Sequence, residues 1–212
     1  MLNSSEGLKK IAITGGLSSG KSSVCLFLRK LGCYVISADE IVHELLSKNQ
    51  DIIQKVIKLL GTDILINNQI DRPKIAKKVF SQPLLLKSLE KILHPVVQKE
   101  INKQYELKRK DGLTSLFVAE IPLLFEQGSD ADFDFVVVVG ADEDLRKERF
   151  KLATSYALDE FEKRQSRQLS MQEKLLKADY VIRNNGSLID LQHSVDELYK
   201  KLTEINFFKH ED

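Results

Sequence analysis

The apolar residues of this chain fall into two kinds of pattern. In one they run together without alternation, as in LFVAEI (116–121) and FDFVVVVGA (133–141). Shorter runs of the same kind are KKIAIT (9–14), CYVISA (33–38) and DYVIR (179–183). Unbroken Val, Ile and Phe over so few positions fit strands covered on both faces. In the other kind, apolar positions recur at helical spacing among charged ones, over residues 20–31, 39–60, 73–110 with breaks, 142–152 and 187–205. Strands alternating with helices predict an α/β fold, a parallel sheet of about five strands flanked by helices.

Two regions exceed that minimal layout. Residues 49–110 carry no strong strand pattern, and their helices are expected to break around GTDILINNQIDRP and at the His94–Pro95 pair. Residues 153–178 are helical and polar, with EKRQSRQLSMQEK charged on most sides. Both read as helical insertions over the rim of one sheet, where open α/β folds bind ligands. The expected organisation is a core of 1–48, 111–152 and 179–212, a helical domain of 49–110 and a lid of 153–178. So polar a lid is expected to make few contacts before its ligand arrives.

Composition removes several classes of function. Lys and Arg (32) balance Asp and Glu (31), leaving a net charge of +1, so no nucleic acid held by bulk charge is expected. No apolar run approaches the ~18 residues of a membrane span, and MLNSSEGLKK lacks the apolar core of a secretory signal. Cys25 and Cys33 form no Cys-x-x-Cys pair and read as reduced, buried thiols, which suits a cytoplasmic protein. His43, His193 and His210 show no metal-binding spacing and read as surface residues.

The chemistry concentrates at the first turn, ITGGLSSGKSSV (13–24). Gly15-x-x-x-x-Gly20-Lys21-Ser22 is the phosphate-binding loop pattern. A strand ends at Thr14, and the chain must then wrap round a phosphate with its N–H groups inward. Glycines permit that path, and the following helix aims its positive end at the same phosphate. The candidate ATP-binding residues are Gly15, Gly16, Leu17, Ser18, Ser19, Gly20, Lys21, Ser22 and Ser23. Lys21 supplies a cation for the outer phosphates, and Ser22 a hydroxyl for Mg²⁺. The loop alone does not separate kinase from ATPase or GTPase. The chain has no Asn-Lys-x-Asp guanine reader and is short for a motor or transporter, which favours a small kinase whose insertions close over the reactants.

A kinase also needs a group to orient the acceptor hydroxyl and cations for the developing charge. Asp39 follows the second strand, where it serves as that base or as a helix N-cap. Glu120 ends the third strand, as a carboxylate ordering Mg²⁺ through water or as a rim charge. Arg149 in DLRKERF is a lid arginine or a solvated helix residue. His94, before a proline between two helices, is a packing or capping residue or a ligand.

Several motifs then line up in order: IAITGGLSSGKSSV, CYVISADEIVHELL, IDRPKIAKKVF, LEKILHPVV, AEIPLLFE and ADYVIRNNGS. With them the chain resembles the dephospho-coenzyme A kinase family over nearly its full length. The resemblance implies a P-loop kinase fold with a helical substrate-binding insertion and a lid. It implies transfer of the γ-phosphoryl group of ATP to the ribose 3′-hydroxyl of dephospho-CoA, with Mg²⁺. It carries Asp39 over as the catalytic aspartate and Arg149 as the first lid arginine, and it assigns Arg72, His94, Pro122 and Leu123 to the dephospho-CoA side. A monomer or weak homo-oligomer is expected. The chain departs from the family at Ala153, where a second lid arginine is frequent and for which Lys151 or Arg164 are substitutes. It departs also at Glu120, where aspartate is frequent, and at Arg183, where an acidic residue is common. A kinase of nucleosides or nucleotides and a non-enzymatic ATP-binding switch are the competing readings.

Overall fold

A computed structural model describes residues 7–80, 82–154 and 157–204. Residues 1–6, on which the expectation about a secretory signal falls, Ser155 and Tyr156 of the expected lid, the helix end expected at 205 and His210 lie outside the described residues. In chain order the elements are β1 (Lys9–Gly15), α1 (Lys21–Lys30), β2 (Tyr34–Ser37), α2 (Ala38–Lys48), α3 (Gln50–Leu60), β3 (Leu65–Ile66), β4 (Gln69–Ile70), α4 (Arg72–Phe80) and α5 (Pro83–Asp111). There follow β5 (Leu116–Glu120), β6 (Phe135–Gly140), α6 (Glu143–Ala153), α7 (Leu158–Gln165), α8 (Met171–Leu176), β7 (Tyr180–Arg183) and α9 (Leu188–Glu204).

The chain divides into two compact units, one running up to Ile36 and again from Tyr105 onward, the other Ser37–Gln104. The division falls at Ser37 and Gln104 rather than at 49 and 110, because α2 shares an apolar core with α3 through Leu46, Ile52 and Val56.

In the first unit the five apolar runs form one five-stranded sheet in the order β2-β5-β1-β6-β7. Its β5–β1, β1–β6 and β6–β7 pairings are parallel. β1 is the central strand and is buried along its whole length, which explains its lack of alternation. Ile11, Ile13, Val118, Val137 and Val139 pack against Val24 and Leu28 of α1 and Leu191, Val195 and Leu198 of α9.

The second unit departs from the sequence pattern in three places. The helix expected over 39–60 is two, because Asn49 leaves helical geometry and its side chain accepts the Ile52 N–H at 3.1 Å, capping α3. The polar break contains a hairpin: β3 and β4 pair antiparallel around Asn67 and Asn68, whose φ angles of 50° and 61° suit a tight two-residue turn. The break expected at His94–Pro95 is absent, since α5 continues through Pro95. A proline there removes one helical hydrogen bond and crowds the carbonyl four residues back. Pro95 and Lys91 lie on the exposed face, where that crowding disturbs no core packing, while Leu89, Leu93, Val97 and Ile101 keep the opposite face buried. His94 thus lies within a helix and not between two.

Candidate active site

β1 lies between β5 and β6, so its end opens at the point where the sheet's connections diverge to either side. Gly15 pairs with Val139 and has φ +145°; a Cβ on it would stand 2.1 Å from the Val139 carbonyl oxygen. At the far end of the loop Gly20 has φ +96°, and a Cβ there would lie 2.1 Å from Asn184 Nδ2. Asn184 donates to the Ser19 carbonyl at 2.9 Å, so β7 braces the loop from the side. Ser19 is fully buried, and its Oγ has no hydrogen-bond partner among the described residues. A buried orphan hydroxyl demands an explanation, and a phosphate oxygen is a fitting acceptor. No side chain caps the start of α1, which leaves that helix end open to an anion.

Lys21 is buried, and its Nζ donates to the carbonyls of Gly16 at 2.8 Å and Gly15 at 3.4 Å. The ammonium is thereby held over the loop. Ser22 is exposed, and its hydroxyl donates to Glu120 Oε1 at 2.9 Å. Glu120 therefore engages the loop directly and is more than a rim charge. Burial, reinforced by Glu120, pushes the Cys25 thiol far up; burial raises Cys33 to about 12, and both cysteines are free and buried as expected.

Arg149 is half-buried on α6, with Nη1 buried and lacking a hydrogen-bond partner among the described residues. Arg146 is the residue the sequence reading missed. It is 5% exposed, donates from Nε to the Ala141 carbonyl at 3.2 Å, and stacks its guanidinium 5.6 Å from the Phe161 ring. A Cβ on Gly16 would stand 2.9 Å from its Nη1, so this cation abuts the loop. Burial lowers its pKa, opposed by Glu143. The i, i+3 spacing of Arg146 and Arg149, which puts both on one helix face, was a usable signal. Of the substitutes for the second lid arginine, Arg164 pairs with Glu160 at 3.0 Å on its own helix, and Lys151 is exposed.

The described residues of the expected lid, 153–154 and 157–178, make more contacts than their polarity implies. Phe161 of α7 is fully buried, with its ring 5.4 Å from that of Phe150. Lys174 of α8 is fully buried too, bonded to Glu126 of the PLLFE motif at 2.9 Å. The pattern is hard to see in sequence because one aromatic and one lysine carry the contact. Pro122 and Leu123 follow β5, half-buried, and the Pro122 carbonyl accepts from Thr14 Oγ1 at 3.3 Å.

Asp39, Arg72 and His94 belong to the second unit. Ser37 occupies the N-cap position of α2; Asp39 is exposed in the first turn and has no capping role. The cap alternative therefore fails. Asp39 and His43, four residues apart, lie on one face of α2, and Arg72 donates to His43 Nδ1 at 2.9 Å. Burial holds the His94 imidazole below its usual pKa, with Glu90 opposing.

Among the described residues no helix is long and apolar enough to cross a membrane. The family model for dephospho-CoA kinase matches residues 9–190. The dephospho-CoA kinase of Protochlamydia amoebophila is 51% identical over 197 residues, 92% of this chain and 97% of that protein. That of Chlamydia pneumoniae is 45% identical over 92% of this chain and 96% of its own. Among solved structures, TT1252 from Thermus thermophilus aligns with a TM-score of 0.78 at 29% identity, over 93% of this chain and 100% of that one. Dephospho-CoA kinase from Campylobacter jejuni aligns at 0.68 and 28%, over 92% and 97%. Shikimate kinase from Bacteroides thetaiotaomicron, at 0.54 and 14% identity over 92% and 98%, shares the fold. A match running from β1 into α9, with relatives aligned over nearly their entire lengths, shows that this chain belongs to the dephospho-CoA kinase family.

Proposed function

We propose that this chain transfers the γ-phosphoryl group of ATP to the ribose 3′-hydroxyl of dephospho-CoA, giving coenzyme A and ADP. The observation that carries the reading is the family match over residues 9–190 on a chain whose loop is shaped for phosphate. The acceptor oxygen forms a bond to Pγ, the bond from Pγ to the bridging oxygen breaks, and the hydroxyl proton passes to Asp39. Asp39 orients the hydroxyl and takes the proton late in the transfer. Loop amides, the uncapped end of α1 and Lys21 hold the phosphates and offset charge as it develops. Ser18, Ser19 and Ser23 add hydroxyl donors around them. Arg149 neutralises charge on the transferring group, with Arg146 beside it.

The hard oxygen donors Ser22 and Glu120 fit Mg²⁺, Ser22 as a direct ligand and Glu120 through water. Mg²⁺ keeps several waters and phosphate oxygens, so few protein ligands suffice. Bound there, Mg²⁺ supplies charge neutralisation across the phosphate oxygens. Arg72, His94, Pro122 and Leu123 hold the dephospho-CoA side, and residues 153–178 cover the phosphates and keep water out. The protein acts in the cytoplasm as a monomer or weak homo-oligomer.

The test is acceptor-dependent ADP release with dephospho-CoA, adenosine, AMP and pantetheine phosphate, with the product's phosphate position read by NMR. Turnover with dephospho-CoA giving the 3′-phosphate is expected. Preference for adenosine or AMP would point to a nucleoside or nucleotide kinase, and ATP binding without acceptor-dependent turnover to a switch.

A further inference from the structure

Lys174 and Glu126 form a buried ion pair outside the residues assigned to binding or catalysis. The side-chain exposures are 0% and 14%, and Nζ lies 2.9 Å from Glu126 Oε1. The same carboxylate oxygen accepts the Leu169 N–H at 2.8 Å. Lys174 Nζ also donates to the Pro122 carbonyl at 3.4 Å and to Gln168 Oε1 at 3.5 Å. The Pro122 carbonyl is in turn the acceptor for Thr14 Oγ1, one residue before the phosphate loop.

A buried ion pair is a weak device for stability, because the desolvation of two charges offsets much of their attraction. Its consequence here is geometric. Met171 and Lys174 are three residues apart on α8 and share a face. Met171 Cε closes on the phosphate loop, where a Cβ on Gly16 would lie 2.9 Å away. Lys174 holds the Pro122–Glu126 turn. One short helix therefore touches the nucleotide loop with one side chain and the turn after β5 with the next.

We infer that Lys174 and Glu126 are positioning residues that fix the acceptor-side turn, Pro122 and Leu123, to the helix resting on the nucleotide loop. The inference rests on the dephospho-CoA kinase reading for the role of that turn. Displacing a positioning element by about 1 Å can cost up to about 10²-fold in rate. The pair's effect falls on the acceptor, because Met171 still seats α8 on the loop without it.

The experiment compares wild type, Lys174→Met/Glu126→Met and Glu126→Gln. The double variant leaves no lone buried charge, and Glu126→Gln keeps an oxygen for Leu169 and Lys174. Steady-state kinetics with ATP and dephospho-CoA varied in turn should show KM for dephospho-CoA raised about 10–100-fold in the double variant. KM for ATP should stay within about threefold, and Glu126→Gln should fall between. A folded double variant with unchanged acceptor KM, or with both KM values raised equally, overturns the inference. If the double variant does not fold, Glu126→Gln decides by the same criterion. Hydrogen exchange with ADP gives a readout that needs no turnover. ADP should protect both 121–128 and 169–176 in wild type, but only 169–176 in the folded variant, and joint protection in both proteins overturns the coupling. Absence of wild-type turnover with dephospho-CoA would instead refute the functional reading, and the exchange result would still judge the coupling.

Discussion

Gly20→Ala tests whether the phosphate loop is braced from β7. The new Cβ would stand 2.1 Å from Asn184 Nδ2, well inside contact distance, so the amide must move. Asn184 is 6% exposed and donates to the Ser19 carbonyl at 2.9 Å, a bond the movement breaks. Alanine at φ +96° adds strain of about 1–2 kcal/mol. Leaving a buried polar group unpaired costs about 1–3 kcal/mol more. The single substitution should therefore destabilise by about 2–5 kcal/mol, and Asn184→Ala alone by about 1–3 kcal/mol. Both substitutions lose the same hydrogen bond, so the double variant should be about 1–3 kcal/mol more stable than the sum of the two predicts. Urea unfolding measures all four proteins, with the denaturant slope checked for constancy. Gly20→Ala should also raise KM for ATP, since the Ser19–Gly20 backbone shifts. Strict additivity would refute the reasoning, because Asn184 would then not be what the methyl meets.

Asp39→Asn should lower turnover by about 10²–10⁴ at saturating substrates, the range for a positioned base, and barely change thermal stability, since Asp39 caps no helix; turnover within a few-fold of wild type counts against the base. Arg149→Ala should slow phosphoryl transfer more than it weakens ATP binding, read by single turnover against equilibrium titration; equal losses would make it a ground-state contact only. Burial raises Cys33 to about 12 and Cys25 further, above the ~8.5 of a free thiol. The thiol contribution to stability is then full below about pH 8.5 and falls as pH rises toward 12, because the unfolded chain releases those protons first. Unfolding across that range should show a shallower alkaline loss in Cys33→Ala, and native alkylation at pH 8 should follow chain opening, so that fast labelling of both thiols would refute their burial.

What the sequence by itself determined is whatever a short window contains. Continuous Val and Ile runs marked the strands, because a strand buried on both faces needs no polar alternation. The loop from Gly15 to Ser22 was legible because its function depends on backbone shape and charge within eight neighbouring positions. Helix interiors were legible, but their limits were not: Asn49 ends one helix through a side-chain bond, and Pro95 sits inside another because it faces water while Leu93 and Val97 stay buried. Only the tertiary structure decided which distant side chains meet. Asn184 braces Ser19 across 165 positions, and Lys174 finds the Pro122 carbonyl across 52. Neither partner advertises the other, since an exposed lysine and a buried one look alike in a polar helix. Arg146 reaches the loop because α6 leaves the sheet beside β1, and strand order, not local pattern, sets that direction. Local preference acts over a few residues, whereas the approach of two segments depends on the folding of everything between them.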